Sequence, residues 1–115
     1  EPLSSEQRYR IRFPADQLPP VNDFWSVTLY NLGDNQLREN PIDRYAFGDR
    51  SPTLKRNADG SIDIHVQRDK PEGDAANNWL PSGKEGTFWL ILRMYGPQAK
   101  ALSGAYVPPG IKRLP

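Results

Sequence analysis

The residues best equipped for chemistry fall into three sets. Ser61, Asp63 and His65 alternate along one short segment and supply the residue types of a hydrolytic triad. Residues two apart on one strand stand in a row about 7 Å apart, whereas triad members must each lie within hydrogen-bond reach of the next. A solvated strand face is therefore the better reading of this set. The second set is Asp43, Arg44, Asp49, Arg50 and Arg93. Arginines of this kind clamp carboxylates or phosphates bidentately, and paired aspartates do acid–base work when burial raises one of them. The competing and weightier reading is that the aspartates neutralise the arginines beneath the loops. The third set, Tyr30, Tyr45, Trp79, Trp89 and Tyr95, could line a pocket for a sugar or another amphipathic ligand, or could simply fill the core.

Composition removes other chemistries. The 115 residues contain no cysteine, which excludes disulfides, thiolate nucleophiles and Cys-ligated zinc. One histidine is too few for a multi-His transition-metal site, so no bound transition metal and no cofactor is expected; an all-oxygen Ca²⁺ or Mg²⁺ site stays open, though no EF-hand-like spacing marks one. Fifteen Lys and Arg against 14 Asp and Glu leave a net charge of +1, without the global field that marks nucleic-acid binding. No apolar run reaches the roughly 18 residues of a membrane span.

The elements that must position these side chains read as short strands. The 12 prolines and nine glycines are dispersed, so they punctuate brief elements and leave no room for long helices. Arg8–Phe13 alternates, with Tyr9, Ile11 and Phe13 on one face and three arginines on the other, as an edge strand does when outward charge discourages sheet-to-sheet association. Asp23 to Tyr30 puts Trp25, Val27 and Leu29 on one face and Phe24, Ser26, Thr28 and Tyr30 on the other. Residues 42–47 are expected to form a short strand. Asp59-Gly60 predicts a tight hairpin turn between a strand near Leu54 and one over Ile62–Gln67, with Gly60 at positive φ.

Residues 70–86 form a long polar connection pinned to the body by Trp79. The segment from Thr87 to Tyr95 is apolar on both alternating faces, which predicts a central strand covered above and below. Arg93 on such a strand is expected to be mostly buried and paired with a carboxylate, Asp43 or Asp49. Residues 97–102 read as about one helical turn closed by Gly104, and residues 105–115 as an extended tail. Together these elements predict one all-β, mainly antiparallel domain over residues 1–115, a jelly-roll-like β-sandwich with at most one or two short helices.

Several motifs carry a family resemblance. Asn22-Asp23-Phe24-Trp25-Ser26-Val27-Thr28-Leu29-Tyr30, Asn40-Pro41-Ile42-Asp43-Arg44-Tyr45, Gly48-Asp49-Arg50, Asp59-Gly60-Ser61, Asn78-Trp79-Leu80-Pro81 and Leu92-Arg93-Met94-Tyr95-Gly96-Pro97 occur in that order. In order and spacing they resemble the family known as domain of unknown function 1214, from about Arg8 onward. Tyr106 stands where that family usually has tryptophan, and residues 82–86 are longer and more charged than its usual connection. The resemblance implies a bacterial jelly-roll-like domain, often C-terminal to a second β domain (DUF1254), and brings no established catalytic residues. It also implies a place in the cell envelope, periplasmic, with an N-terminal anchor or signal outside this sequence; a start at Glu1 fits a fragment of a longer protein. The expected role is a non-catalytic accessory or ligand-binding domain for a carbohydrate-like or carboxylated small molecule. Its candidate ligand residues are Arg44, Tyr45, Asp49, Arg50, His65, Trp79, Arg93 and Tyr95. A metal-independent lyase, isomerase or hydrolase using Asp43, Asp49 or His65 is the rival, and an interaction domain docking through an edge strand or residues 70–86 is a third reading.

Overall fold

The computed structural model describes residues 3–34, 36–37, 42, 44–84 and 86–115. Eight strands form two four-stranded sheets. The first, sheet A, has the order β1 (Leu3–Ser4), β7 (Thr87–Pro97), β3 (Val21–Asn31), β4 (Ala46–Gly48). The second, sheet B, runs β6 (Trp79–Pro81), β5 (Ile62–Gln67), β2 (Arg8–Phe13), β8 (Ile111–Leu114). Every pairing is antiparallel except β5 with β6. Among the described residues, helix is limited to a 3-10 helix, Gly73–Asn78, and the single turn α1, Ala99–Leu102.

Strand alternation builds the core between the sheets. Tyr9, Ile11 and Phe13 of β2 and Ile62, Ile64 and Val66 of β5 face Trp25, Val27 and Leu29 of β3, Phe47 of β4 and Phe88 of β7, with Leu80 closing one side. Phe13, Phe47, Ile62, Ile64, Val66, Leu80 and Phe88 are almost wholly removed from solvent. Each such side chain contributes about 1.5–3 kcal/mol of transfer free energy. These are the inward faces expected from the alternating segments.

Four expectations change. The strand β2 is not an edge: the tail, read as merely extended, supplies β8, which pairs antiparallel with it from Arg8↔Leu114 to Ile11↔Ile111. Pro108, Pro109 and Pro115 flank that strand without interrupting it, so they remove no ladder donor from its interior. Second, β7 is central but less buried than expected: Phe88 is buried in the core, whereas Trp89, Leu90, Ile91, Leu92, Arg93 and Met94 are half-buried and Tyr95 is 40% exposed.

Third, Asp59-Gly60 does sit in a turn, with Gly60 at φ +89° and its N–H donated to Asn57 O at 2.9 Å, but residues 54–57 form no strand. The side chain of Asn78 takes the place of a ladder: it accepts Lys55 N–H at 2.8 Å and donates to Lys55 O at 2.8 Å and Asp63 O at 2.9 Å. The edge of β5 that a hairpin partner would occupy pairs with β6 instead. Fourth, the strand expected over residues 42–47 is Ala46–Gly48, with Ile42 in an exposed turn and Asp43 outside the described residues. At Gly48 a Cβ would stand 2.0 Å from Trp25 O, so β4 approaches β3 as closely as it does only because this residue has no side chain.

Candidate functional site

The outer face of sheet A is built by its two 11-residue strands. Register places Phe24 opposite Tyr95, Ser26 opposite Arg93, Thr28 opposite Ile91 and Tyr30 opposite Trp89. Two aromatic pairs result. Phe24 and Tyr95 stack at 4.2 Å between centroids and 21° between planes, and Tyr30 meets Trp89 at 5.4 Å and 33°. Each pair carries an arginine: the Arg50 guanidinium lies 4.5 Å from the Phe24 centroid, and that of Arg93 lies 5.5 Å from the Tyr30 centroid. Within about 6 Å of a ring such cations gain roughly 0.5–1 kcal/mol at exposed positions. The pairs are six residues apart along β3, or about 20 Å. Beside Arg50 the face dips into a shallow hollow of about 280 Å³, lined among others by Phe24, Ser26, Ala46, Gly48 and Pro52.

The expected ion pair of Arg93 with Asp49 is corrected here. Among the described residues the ion pairs are Arg12 with Asp63 and Lys55 with Asp74, and neither Arg93 nor Arg50 takes part in one. Asp49 is spent on the backbone: its Oδ1 accepts Trp25 N–H at 3.1 Å and its own N–H reaches Trp25 O at 3.4 Å, extending the β3–β4 ladder past Gly48. The alternative partner, Asp43, lies outside the described residues. Arg93 lies half-buried on this face with its guanidinium over the Tyr30 ring.

The remaining candidates lie elsewhere. Arg44 serves the backbone around the 3-10 helix, donating to Trp79 O at 2.8 Å and Thr53 Oγ1 at 3.0 Å, with its guanidinium 5.3 Å from the Phe47 ring. Burial pulls its guanidinium below the usual arginine range. Tyr45 is half-buried, and its carbonyl accepts Leu29 N–H at 3.2 Å. Trp79 is buried and donates Nε1–H to Gln67 O at 2.8 Å, so it pins the 70–86 connection as expected and is closed to a ligand in this arrangement.

His65 stands on the outer face of sheet B, opposite Arg10 and alongside Trp79. It borders a cleft of about 230 Å³ whose other walls include Lys55, Asn57, Asp63, Asp74 and Asn78. Burial is the main cause holding its imidazole below the usual histidine range; the carboxylate of Asp63 opposes this, and Arg10 and Arg12 reinforce it. No triad exists. Ser61 Oγ donates to Asp59 at 2.6 Å and accepts from Asn57, and Asp63 accepts two bonds from Arg12, at 2.7 and 2.9 Å, and one from Asn57 at 3.1 Å. The bond from Arg12, before all else, keeps Asp63 below the usual carboxylate range. Sequence reasoning missed Lys55, Arg56, Asn57, Asp74 and Asn78 as walls of one cleft. Only the Asn78-Trp79 motif signalled that segment, and nothing local ties it to Lys55.

A model of the family described as "Protein of unknown function (DUF1214)" matches residues 1–99. The chain belongs to the DUF1214 family. Among solved structures, the VPA0106 protein from Vibrio parahaemolyticus is 33% identical with a TM-score of 0.81, over 96% of this chain and 26% of that one. A putative uncharacterized protein from Burkholderia cenocepacia shares the fold at 22% identity and a TM-score of 0.59, over 98% of this chain and 27% of that one. The DUF1214 domain thus spans about a quarter of each of these two bacterial proteins. No curated protein matches the chain. Among the described residues, no helix is long and apolar enough to cross a membrane, and no group of three His, Cys, Asp or Glu is placed to hold a metal ion.

Proposed function

We propose that this DUF1214 domain is a non-catalytic binding module that takes a carbohydrate-like, carboxylated molecule on the outer face of sheet A. One observation carries the reading: two arginine-on-aromatic stacks share one half-open sheet face, and among the described residues neither arginine has a carboxylate partner. Aromatic faces stack on the apolar side of a sugar ring, and an unpaired guanidinium recognises a carboxylate bidentately. A span of about 20 Å between the stacks suits an extended oligomer better than a single small ring. The proposal takes the eight-stranded sandwich as jelly-roll-like and its setting as the bacterial cell envelope, on the family resemblance. Fractionation of cells expressing the full-length gene tests that location.

The binding test uses oligosaccharides bearing uronic acids beside neutral ones of equal length. Trp25 and Trp79 are buried while Trp89 is half-buried on the proposed face, so intrinsic fluorescence reads that face. Acidic oligomers are expected to change the Trp89 emission saturably and to stabilise the domain by about 2.7 kcal/mol at 100 times Kd. Saturable emission changes of equal affinity with neutral oligomers, or none with acidic ones, overturn the assignment.

A further inference from the structure

The cleft over sheet B stands apart from that face and is held open by its own framework. One wall is residues 55–58, the other is Asp74, Ala75 and Asn78 of the 3-10 helix, and Asp63 and His65 of β5 complete the lining. The two walls are tied together twice. Asn78 bonds to both backbone groups of Lys55 and to Asp63 O, and Thr53 Oγ1 donates to Asn77 O at 2.6 Å. A hollow braced in this way does not close by side-chain collapse.

Most polar groups around it are already committed. Asp63 accepts three bonds from Arg12 and Asn57, both N–H groups of the Asn78 amide are used, and Lys55 Nζ meets Asp74 at 2.9 Å. Donors that retain capacity include the half-buried imidazole of His65, the exposed guanidinium of Arg56 and the remaining N–H groups of the Lys55 ammonium. The Arg12–Asp63 and Lys55–Asp74 pairs cancel, which leaves Arg10 on the neighbouring strand and Arg56 on the wall against Asp59, a balance that favours an anion. At about 230 Å³ the cleft lies below the roughly 300–1,000 Å³ of drug-sized pockets, so its occupant is small.

We infer that this cleft binds a small oxyanion, of the carboxylate or phosphate class, with His65 and Arg56 as its hydrogen-bond donors. Binding takes up a proton. Burial, opposed by Asp63 and reinforced by Arg10 and Arg12, lowers the proton affinity of the imidazole, and an anion beside it favours the imidazolium instead. Affinity therefore rises as pH falls through the histidine range, by at most about tenfold per pH unit for one coupled proton.

The single histidine makes the test direct, because the imidazole proton resonances of the intact protein all report on His65. Their pH titration is followed in sulfate, whose charge is constant over this range, against sodium chloride of equal ionic strength, and then in phosphate and succinate to separate the two anion classes. Sulfate is expected to raise the midpoint saturably, and to bind several-fold more tightly at pH 6 than at pH 8. Arg56→Gln should weaken that binding, His65→Gln should abolish its pH dependence, and Arg93→Met on the opposite sheet should change neither. An equal midpoint shift in chloride, the absence of a saturable shift at tens of millimolar sulfate, or an unchanged affinity in Arg56→Gln overturns the assignment. The wild-type titration decides even if a variant fails to fold.

Discussion

Arg93 shows how a single side chain divides two explanations. A guanidinium bracing the fold through a buried carboxylate would cost several kcal/mol to remove, because the carboxylate would be left unpaired. Stacked on Tyr30 and outside every ion pair among the described residues, it contributes only about 0.5–1 kcal/mol. Arg93→Met is therefore expected to lower stability by no more than about 1 kcal/mol in urea denaturation while abolishing the binding of acidic oligomers. Asn78 is the opposite case. It is 5% exposed and makes three hydrogen bonds to backbone groups, so Asn78→Ala should cost about 2–4 kcal/mol on the same assay. His65 adds a pH dependence of definite sign. Its folded-state pKa is depressed, so the folded domain binds fewer protons than the unfolded chain between that value and the ordinary histidine range. Stability is then complete above the unfolded pKa of about 6.5 and falls as pH drops through this window. Asp63, also held low, adds its own loss at more acidic pH as its carboxylate protonates. Comparing wild type with His65→Gln in thermal melts between pH 8 and pH 5 should isolate the histidine part.

Two glycines decide how elements meet. Gly60, at φ +89°, is the hinge of the turn entering β5, and an ideal Cβ there would lie 3.3 Å from that of Ala15. Gly60→Val should cost more than about 1 kcal/mol, since a β-branched residue is strongly disfavoured at positive φ. At Gly48 the obstacle is the backbone of β3, which cannot move aside without breaking the β3–β4 ladder. Gly48→Ala should cost more than Gly60→Val, and a smaller loss in chemical denaturation would show that β4 can peel from the sheet. The same scale explains what was legible beforehand. Inward faces of β2, β3 and β5 follow from period-two alternation, a property of a few consecutive residues. The partners of those strands do not. Neither the pairing of β2 with residues about 100 positions away, nor the parallel seat of Trp79–Pro81 beside β5, nor the use of Asn78 in place of a ladder leaves a local signature. Alternation places Arg93 on the face of Trp89 and Tyr95, where it is half-buried, but it says nothing about which carboxylate lies within reach of that face.

At the scale of the whole molecule, neither sheet offers a long apolar edge. The edges of sheet A are the two residues of β1 and the three of β4, and those of sheet B are β6, ending in Pro81, and β8, carrying Lys112 and Arg113. Short, proline-bearing and charged edges discourage open-ended pairing. Removing residues 105–115 should therefore do more than trim a tail. It strips β2 of one of its two partners, and the truncated domain should melt earlier and associate with itself in sedimentation experiments.

The pairing of β2 with β8 also bears on how the domain is made. A ribosome releases β2 first, with Tyr9, Ile11 and Phe13 in view, and nearly a hundred further residues must follow before Ile111–Leu114 can lie beside it. At translation speeds of roughly 5–20 residues per second that delay is several seconds. Sheet A waits as well, because β3 pairs with the short β4 early but gains its long partner only with β7. Folding of this domain thus follows the emergence of its last strand, and a nascent chain arrested before residue 97 should remain open to protease at β2 and β3 while a chain extended past β8 does not.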